Sequence, residues 1–119
     1  IARAALEGIA FQVNDVIRCM SSDANMPLRE LRVDGGASQN NLLMQMQSNL
    51  LQAQVIRPTI TETTALGAAY LAGLAVNVWK DKSSIKKHWK AARSFSPNMN
   101  KSTRMNLLNE WKESVENLK

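Results

Sequence analysis

The sequence predicts an α/β domain rich in helix, with helices packed on a small sheet. Three observations point there. The chain is 45% hydrophobic but only 5% aromatic, and its apolar content is mostly Leu, Ala, Val and Met, which favours helices over an all-β fold. Apolar residues recur every three or four positions over several stretches. Two short β-branched and apolar runs, residues 31–34 and 55–57, flank one such stretch, an order that implies a right-handed parallel crossover. With 119 residues, one domain with a modest core is expected.

Taken in order, Ala2, Leu6, Ile9, Val13, Ile17 and Met20 mark an amphipathic first helix to about Met20, with Arg3, Glu7, Asp15 and Arg18 between them. No cap precedes it, so the chain reads as beginning in mid-helix, as if cut from something larger. Residues 21–27 form a polar loop that ends at Pro27, which cannot continue a helix. A strand follows over residues 31–34.

At Asp34 the apolar run stops, Gly35 and Gly36 follow, and polar helix-starting residues come next. This reads as strand, sharp turn, helix N-terminus. Glycines without a Cβ let a ligand lie against the main chain, and ligands of α/β sheets collect at the carboxyl ends of strands. Gly-Gly after a strand is also an ordinary tight turn, and both readings stand on spacing alone. No Gly-Lys-Ser/Thr follows, so the turn is not a P-loop. If it meets a nucleotide, it meets the adenosine end.

Leu42, Leu43, Met46 and Leu50 then mark a second helix to Gln52, with Ser38 or Asn40 as its cap. A second strand, residues 55–57, closes at Pro58. Thr61 and Glu62 open a third helix, the hydroxyl as cap and the carboxylate on the positive end of the dipole. Its interior is built from Ala65, Gly67, Ala68, Ala69, Ala72, Gly73 and Ala75, although each internal Gly costs about 1 kcal/mol relative to Ala. Such a face suits either a seam between two lobes or a tightly packed core helix.

The character changes at Lys80. Residues 1–79 hold five Lys/Arg and six Asp/Glu, and residues 80–119 hold ten and four, so the net charge of +5 belongs to the tail. The lysines are interleaved with acids, which favours a solvated helical face over a nucleic-acid patch. Residues 84–93 and 103–118 read as helices with a loop over 94–102. The domain division is therefore 1–79 and a basic helical extension, 80–119. No apolar run reaches the roughly 20 residues of a membrane span. The lone Cys19 excludes an internal disulfide and fits a reducing, cytoplasmic setting, and a lone His88 makes a metal site unexpected.

Four blocks carry a resemblance: Arg-Ala-Ala-Leu-Glu-Gly-Ile-Ala-Phe at 3–11, Leu-Arg-Val-Asp-Gly-Gly-Ala at 31–37, Asn40-Asn41 with Leu43-Met44-Gln45, and Thr-Ala-Leu-Gly-Ala-Ala-Tyr-Leu-Ala-Gly-Leu at 64–74. Together they resemble the C-terminal region of the glycerol kinases, FGGY carbohydrate kinases of the actin, Hsp70 and hexokinase superfamily. The likeness covers nearly all of residues 1–80 and is loose beyond.

It implies a partial ribonuclease-H-like lobe with two short parallel strands and about five helices. It also implies ATP and Mg²⁺ as cofactors of the whole enzyme and glycerol as substrate. Gly36 would lie against the adenosine and Asn40 would hydrogen-bond it, while the small-residue helix would connect the lobes. The phosphate loops, the general base and the glycerol-holding residues of the family lie upstream of this region. No catalytic residue is therefore expected here, and Asp34 is expected to be structural. In the tail, residues 95–104 resemble a region where some bacterial members dock a regulatory sugar-transport protein, but Asn100-Lys101 replace acidic character, so that partner is not expected.

The expected partners are the remainder of a kinase chain, with self-association through an unpaired sheet edge or the uncovered small-residue helix, and neither nucleic acid nor membrane. Two other functions compete. One is a sister sugar kinase, xylulokinase- or gluconokinase-like. The other is a non-enzymatic helical interaction module with a basic tail.

Overall fold

A computed structural model describes residues 1–118. In it, three strands and five α-helices run in the order α1 (Ala2–Asp23), β1 (Glu30–Arg32), α2 (Asn41–Leu51), β2 (Gln54–Pro58), α3 (Thr63–Ala75), α4 (Lys82–Lys86), β3 (Ala91–Phe95) and α5 (Lys101–Glu116). A single 3-10 turn, Gly36–Gln39, precedes α2. The sheet order is β1-β2-β3. β1 and β2 are parallel, as expected, with Leu31 opposite Val55. β3 is antiparallel to β2, with Phe95 opposite Val55.

The third strand corrects the reading of 84–93 as a helix and 94–102 as a loop. The helical pattern ends at Lys86, and residues 91–95 complete the edge of β2 instead. Four of the five residues of β3 are exposed and only Phe95 is buried, so no alternation marks it as a strand. What makes it one is the row of unpaired N–H and C=O groups that β2 offers. The tail is therefore not purely helical.

The core lies where α1, α2 and α5 meet the sheet, built from Ala10, Phe11, Leu43, Met44, Met46, Leu50, Val55, Phe95 and Leu108. On α1 the buried residues are Ala10, Phe11 and Asn14, one step round the helix from the predicted row, and Ile9 and Met20 are exposed. Each fully buried aliphatic side chain, Leu50 and Val55 among them, contributes about 1.5–3 kcal/mol. Trp111 ties α5 to α1 by stacking on Phe11 with ring centroids 5.1 Å apart and donating from Nε1 to Asp15 Oδ2 at 2.8 Å. Ser48, fully buried, lies within reach of two carbonyls, Ala53 O at 2.9 Å and Phe95 O at 3.0 Å, and so joins the α2–β2 turn to the end of β3. Asn100 caps α5 by accepting from Thr103 N at 2.8 Å.

α3 behaves differently. It is apolar throughout, yet Gly73 is its one buried residue, and Leu71 is 69% exposed. A helix apolar on all sides is ordinarily buried. Within this chain, then, α3 is not a packed core helix. Its predicted hydroxyl cap is also absent: the N-cap is Glu62, which makes no side-chain capping bond.

Candidate nucleotide-binding loop

The loop between β1 and α2 is built in three short steps. Val33 N still donates to Ile56 O at 3.1 Å, after which the chain leaves the sheet. Gly35 takes φ 74° and ψ 174°, a left-handed φ that side chains rarely adopt and that glycine adopts freely. This sharp reversal starts the 3-10 turn, and Ser38, buried, braces it by donating from Oγ to Gly35 O at 2.6 Å. The predicted second helix is thus split, with the break at Asn40. There the backbone is extended, φ −79° and ψ 106°, and the side-chain Oδ1 accepts from Leu43 N at 3.1 Å, the geometry of a helix N-cap.

The two residues singled out from sequence lie on the exposed side of this loop. A Cβ at Gly36 would meet no heavy atom within 4 Å, so the main chain there is open to a flat ligand. Capping occupies Asn40 Oδ1, and the amide nitrogen of that exposed side chain is left as a donor. Neither residue lines either of two cavities found elsewhere in the molecule. One, of about 850 Å³, lies between α1 and α5, lined by Asn14, Arg18 and Trp111 among others. The second, of about 600 Å³, is lined by Thr59, Tyr70 and Trp89 among others. Exposed and, at Gly36, unobstructed, the two residues form an open shelf.

The loop is fixed by residues that spacing did not single out. Gly35 N donates to Thr61 O at 2.8 Å, and Gln39 Nε2 donates to Thr61 Oγ1 at 3.1 Å. From β2, Arg57 Nη1 donates to Ser38 O at 2.9 Å, Gln39 O at 3.1 Å and Asn41 Oδ1 at 3.1 Å. Asp34 accepts from Thr63 Oγ1 on the first turn of α3. Its carboxylate is thus engaged in joining the end of β1 to α3. No local pattern signals these partners, because each depends on how β2 and the start of α3 fall beside the loop.

Among the described residues no group of three or more His, Cys, Asp or Glu could hold a metal ion, and no helix is long and apolar enough to cross a membrane. The shelf suits the flat, uncharged part of a ligand.

Residues 1–76 match the C-terminal domain of the FGGY family of carbohydrate kinases, and the chain belongs to that family. Within it, the chain is similar to glycerol kinases. It is 56% identical over 115 residues to the glycerol kinase of Pseudothermotoga lettingae, covering 97% of this chain and 23% of that one. It is 55% identical over 119 residues to the glycerol kinase of Nitratidesulfovibrio vulgaris, covering 100% of this chain and 24% of that one. The chain thus spans about a quarter of the length of the curated relatives it matches.

Among solved structures, Plasmodium falciparum glycerol kinase with ADP superposes with a TM-score of 0.85 at 37% identity, over 98% of this chain and 24% of that one. Xylulose kinase from Lactobacillus acidophilus superposes with a TM-score of 0.81 at 24% identity, over the same shares, and shares the fold. The helix-rich actin-like ATPase lobe expected from the resemblance is the one observed.

Proposed function

We propose that this chain is the adenosine-holding quarter of an ATP-dependent glycerol kinase, which converts ATP and glycerol to ADP and glycerol 3-phosphate. The observation that carries the reading is the shelf itself, an unobstructed Gly36 beside the unspent amide of Asn40, in a chain 55–56% identical to glycerol kinases end to end. Purine rings are flat and rich in acceptors, and a bare peptide face with one amide donor suits them. The rest of the kinase would hold the phosphates and Mg²⁺; among the described residues no group of three or more His, Cys, Asp or Glu is placed to hold the metal.

Phosphoryl transfer depends on positioning and on charge stabilisation around the transferred group. The groups expected to do that lie in the rest of the kinase, so the 119-residue chain is expected to be inactive by itself. The family match ends at residue 76, which supports a division between a family domain at 1–79 and an extension at 80–119 that completes the same sheet and core. The exposed apolar α3 would be covered by the remainder of the kinase as the connection between lobes, or by self-association when that remainder is missing. The same reading places the enzyme in the cytoplasm, without nucleic-acid or membrane partners.

The test uses Asn40→Asp in the kinase that contains this chain. The aspartate keeps an oxygen for Leu43 N and loses the amide donor. The KM for ATP should rise several-fold, about what one hydrogen bond contributes, while the KM for glycerol stays put. An unchanged KM for ATP would sink the reading.

A further inference from the structure

We propose that Arg57 is a positioning residue for the nucleotide, holding the loop that bears Gly36 and Asn40 in its binding shape without touching the ligand. This rests on the adenosine reading above and assigns part of that site to a residue on a different strand. Arg57 is half-buried near the end of β2, and its Nη1 reaches three acceptors that bracket Asn40: Ser38 O, Gln39 O and Asn41 Oδ1. Two of these are the last carbonyls of the 3-10 turn, which have no acceptor role inside so short a helix. A cation there also faces the negative end of that turn.

The opposite side of the loop is held by Gly35 N to Thr61 O at 2.8 Å and Gln39 Nε2 to Thr61 Oγ1 at 3.1 Å, both neutral, with the Asp34 carboxylate accepting from Thr63 Oγ1 at the loop's start. Among the described residues Arg57 is the one charged donor in the hydrogen-bond network around Gly36 and Asn40, and charge-assisted bonds are about twice as strong as neutral ones. The guanidinium carbon lies over the face of Phe95, 5.7 Å from the ring centroid. Without Arg57 the spacing between the bare peptide at Gly36 and the amide of Asn40 would be held less tightly, by the bonds at Ser38 and Thr61. That spacing is what a rigid purine requires.

The experiment compares Arg57→Met, Arg57→Lys and Asn40→Asp in the full kinase, with KM for ATP, KM for glycerol and kcat measured for each. Arg57→Met should raise the KM for ATP roughly tenfold, with the KM for glycerol within about twofold. Arg57→Lys, whose single ammonium lacks the fork of the guanidinium, should fall between it and the parent. A loss of kcat with both KM values unchanged would mean that Arg57 serves the fold alone, and the proposal would be overturned. It would be overturned equally if Arg57→Met were silent while Asn40→Asp raised the KM for ATP, an outcome that leaves the adenosine reading standing. A silent Asn40→Asp removes that reading and this inference with it. Should Arg57→Met fail to fold, Arg57→Lys decides alone: a raised KM for ATP supports the proposal and an unchanged one ends it.

Discussion

The indole of Trp79 occupies the space that a side chain at Gly73 would need, so that a Cβ built there overlaps the ring. The small residue late in α3 therefore has a packing reason inside this chain. The turn after the helix folds back onto it, with Val78 N donating to Gly73 O at 2.8 Å, and Trp79 meets Tyr70 edge-on at 5.2 Å.

Gly73→Ala is expected to lower stability. Forcing the indole aside costs about 1–3 kcal/mol, which outweighs the roughly 1 kcal/mol gained in helix propensity. Gly67→Ala is the control, since a Cβ there meets nothing within 4 Å, and it should raise the melting temperature of the 119-residue chain. A thermal melt of the two variants gives opposite signs if Trp79 packs as described.

Phe95→Ala should be the most damaging single change in the tail. Phe95 is 3% exposed, and it seals β3 onto the core. A buried Phe→Ala change costs about 3–5 kcal/mol, read as a shift of the urea midpoint. Ala92→Ser, on the exposed part of the same strand, should shift it little.

Asp81 sets a pH dependence at α4. Bonds from the Ser83 hydroxyl, the Ser84 amide and the Ser84 hydroxyl hold its carboxyl down from the ordinary 3.8 to about 2. A lowered folded-state pKa means that the cap is complete above about pH 4 and is lost as pH falls through about 2. The Ser84 amide resonance, followed by NMR, should therefore titrate near pH 2. A midpoint near 3.8 would show that the cap does not form.

How much of this was legible in the sequence varies by element. The glycine turn and its cap could be read locally, because Gly35 needs a left-handed φ and Asn40 is a strong capping type. The parallel pair followed from two β-branched runs around a helix. β3 could not be read, because Ala-Ala-Arg-Ser-Phe has no period of its own and becomes a strand through the edge it meets. The Thr61 hydroxyl expected to cap α3 fails for a similar reason: its Oγ1 accepts from Gln39 Nε2, a residue far away in the chain, and the cap position falls to Glu62. Arg57 looked like the last charge before a proline, and its three acceptors emerge only once β2 lies beside the loop.

Photolabelling of the full kinase with an azido-adenosine triphosphate, followed by mass spectrometry of the peptides, tests the central claim most directly. The account predicts crosslinks within residues 35–41, suppressed by excess ATP. Efficient, ATP-protected labelling elsewhere in the enzyme with none in those residues would contradict it.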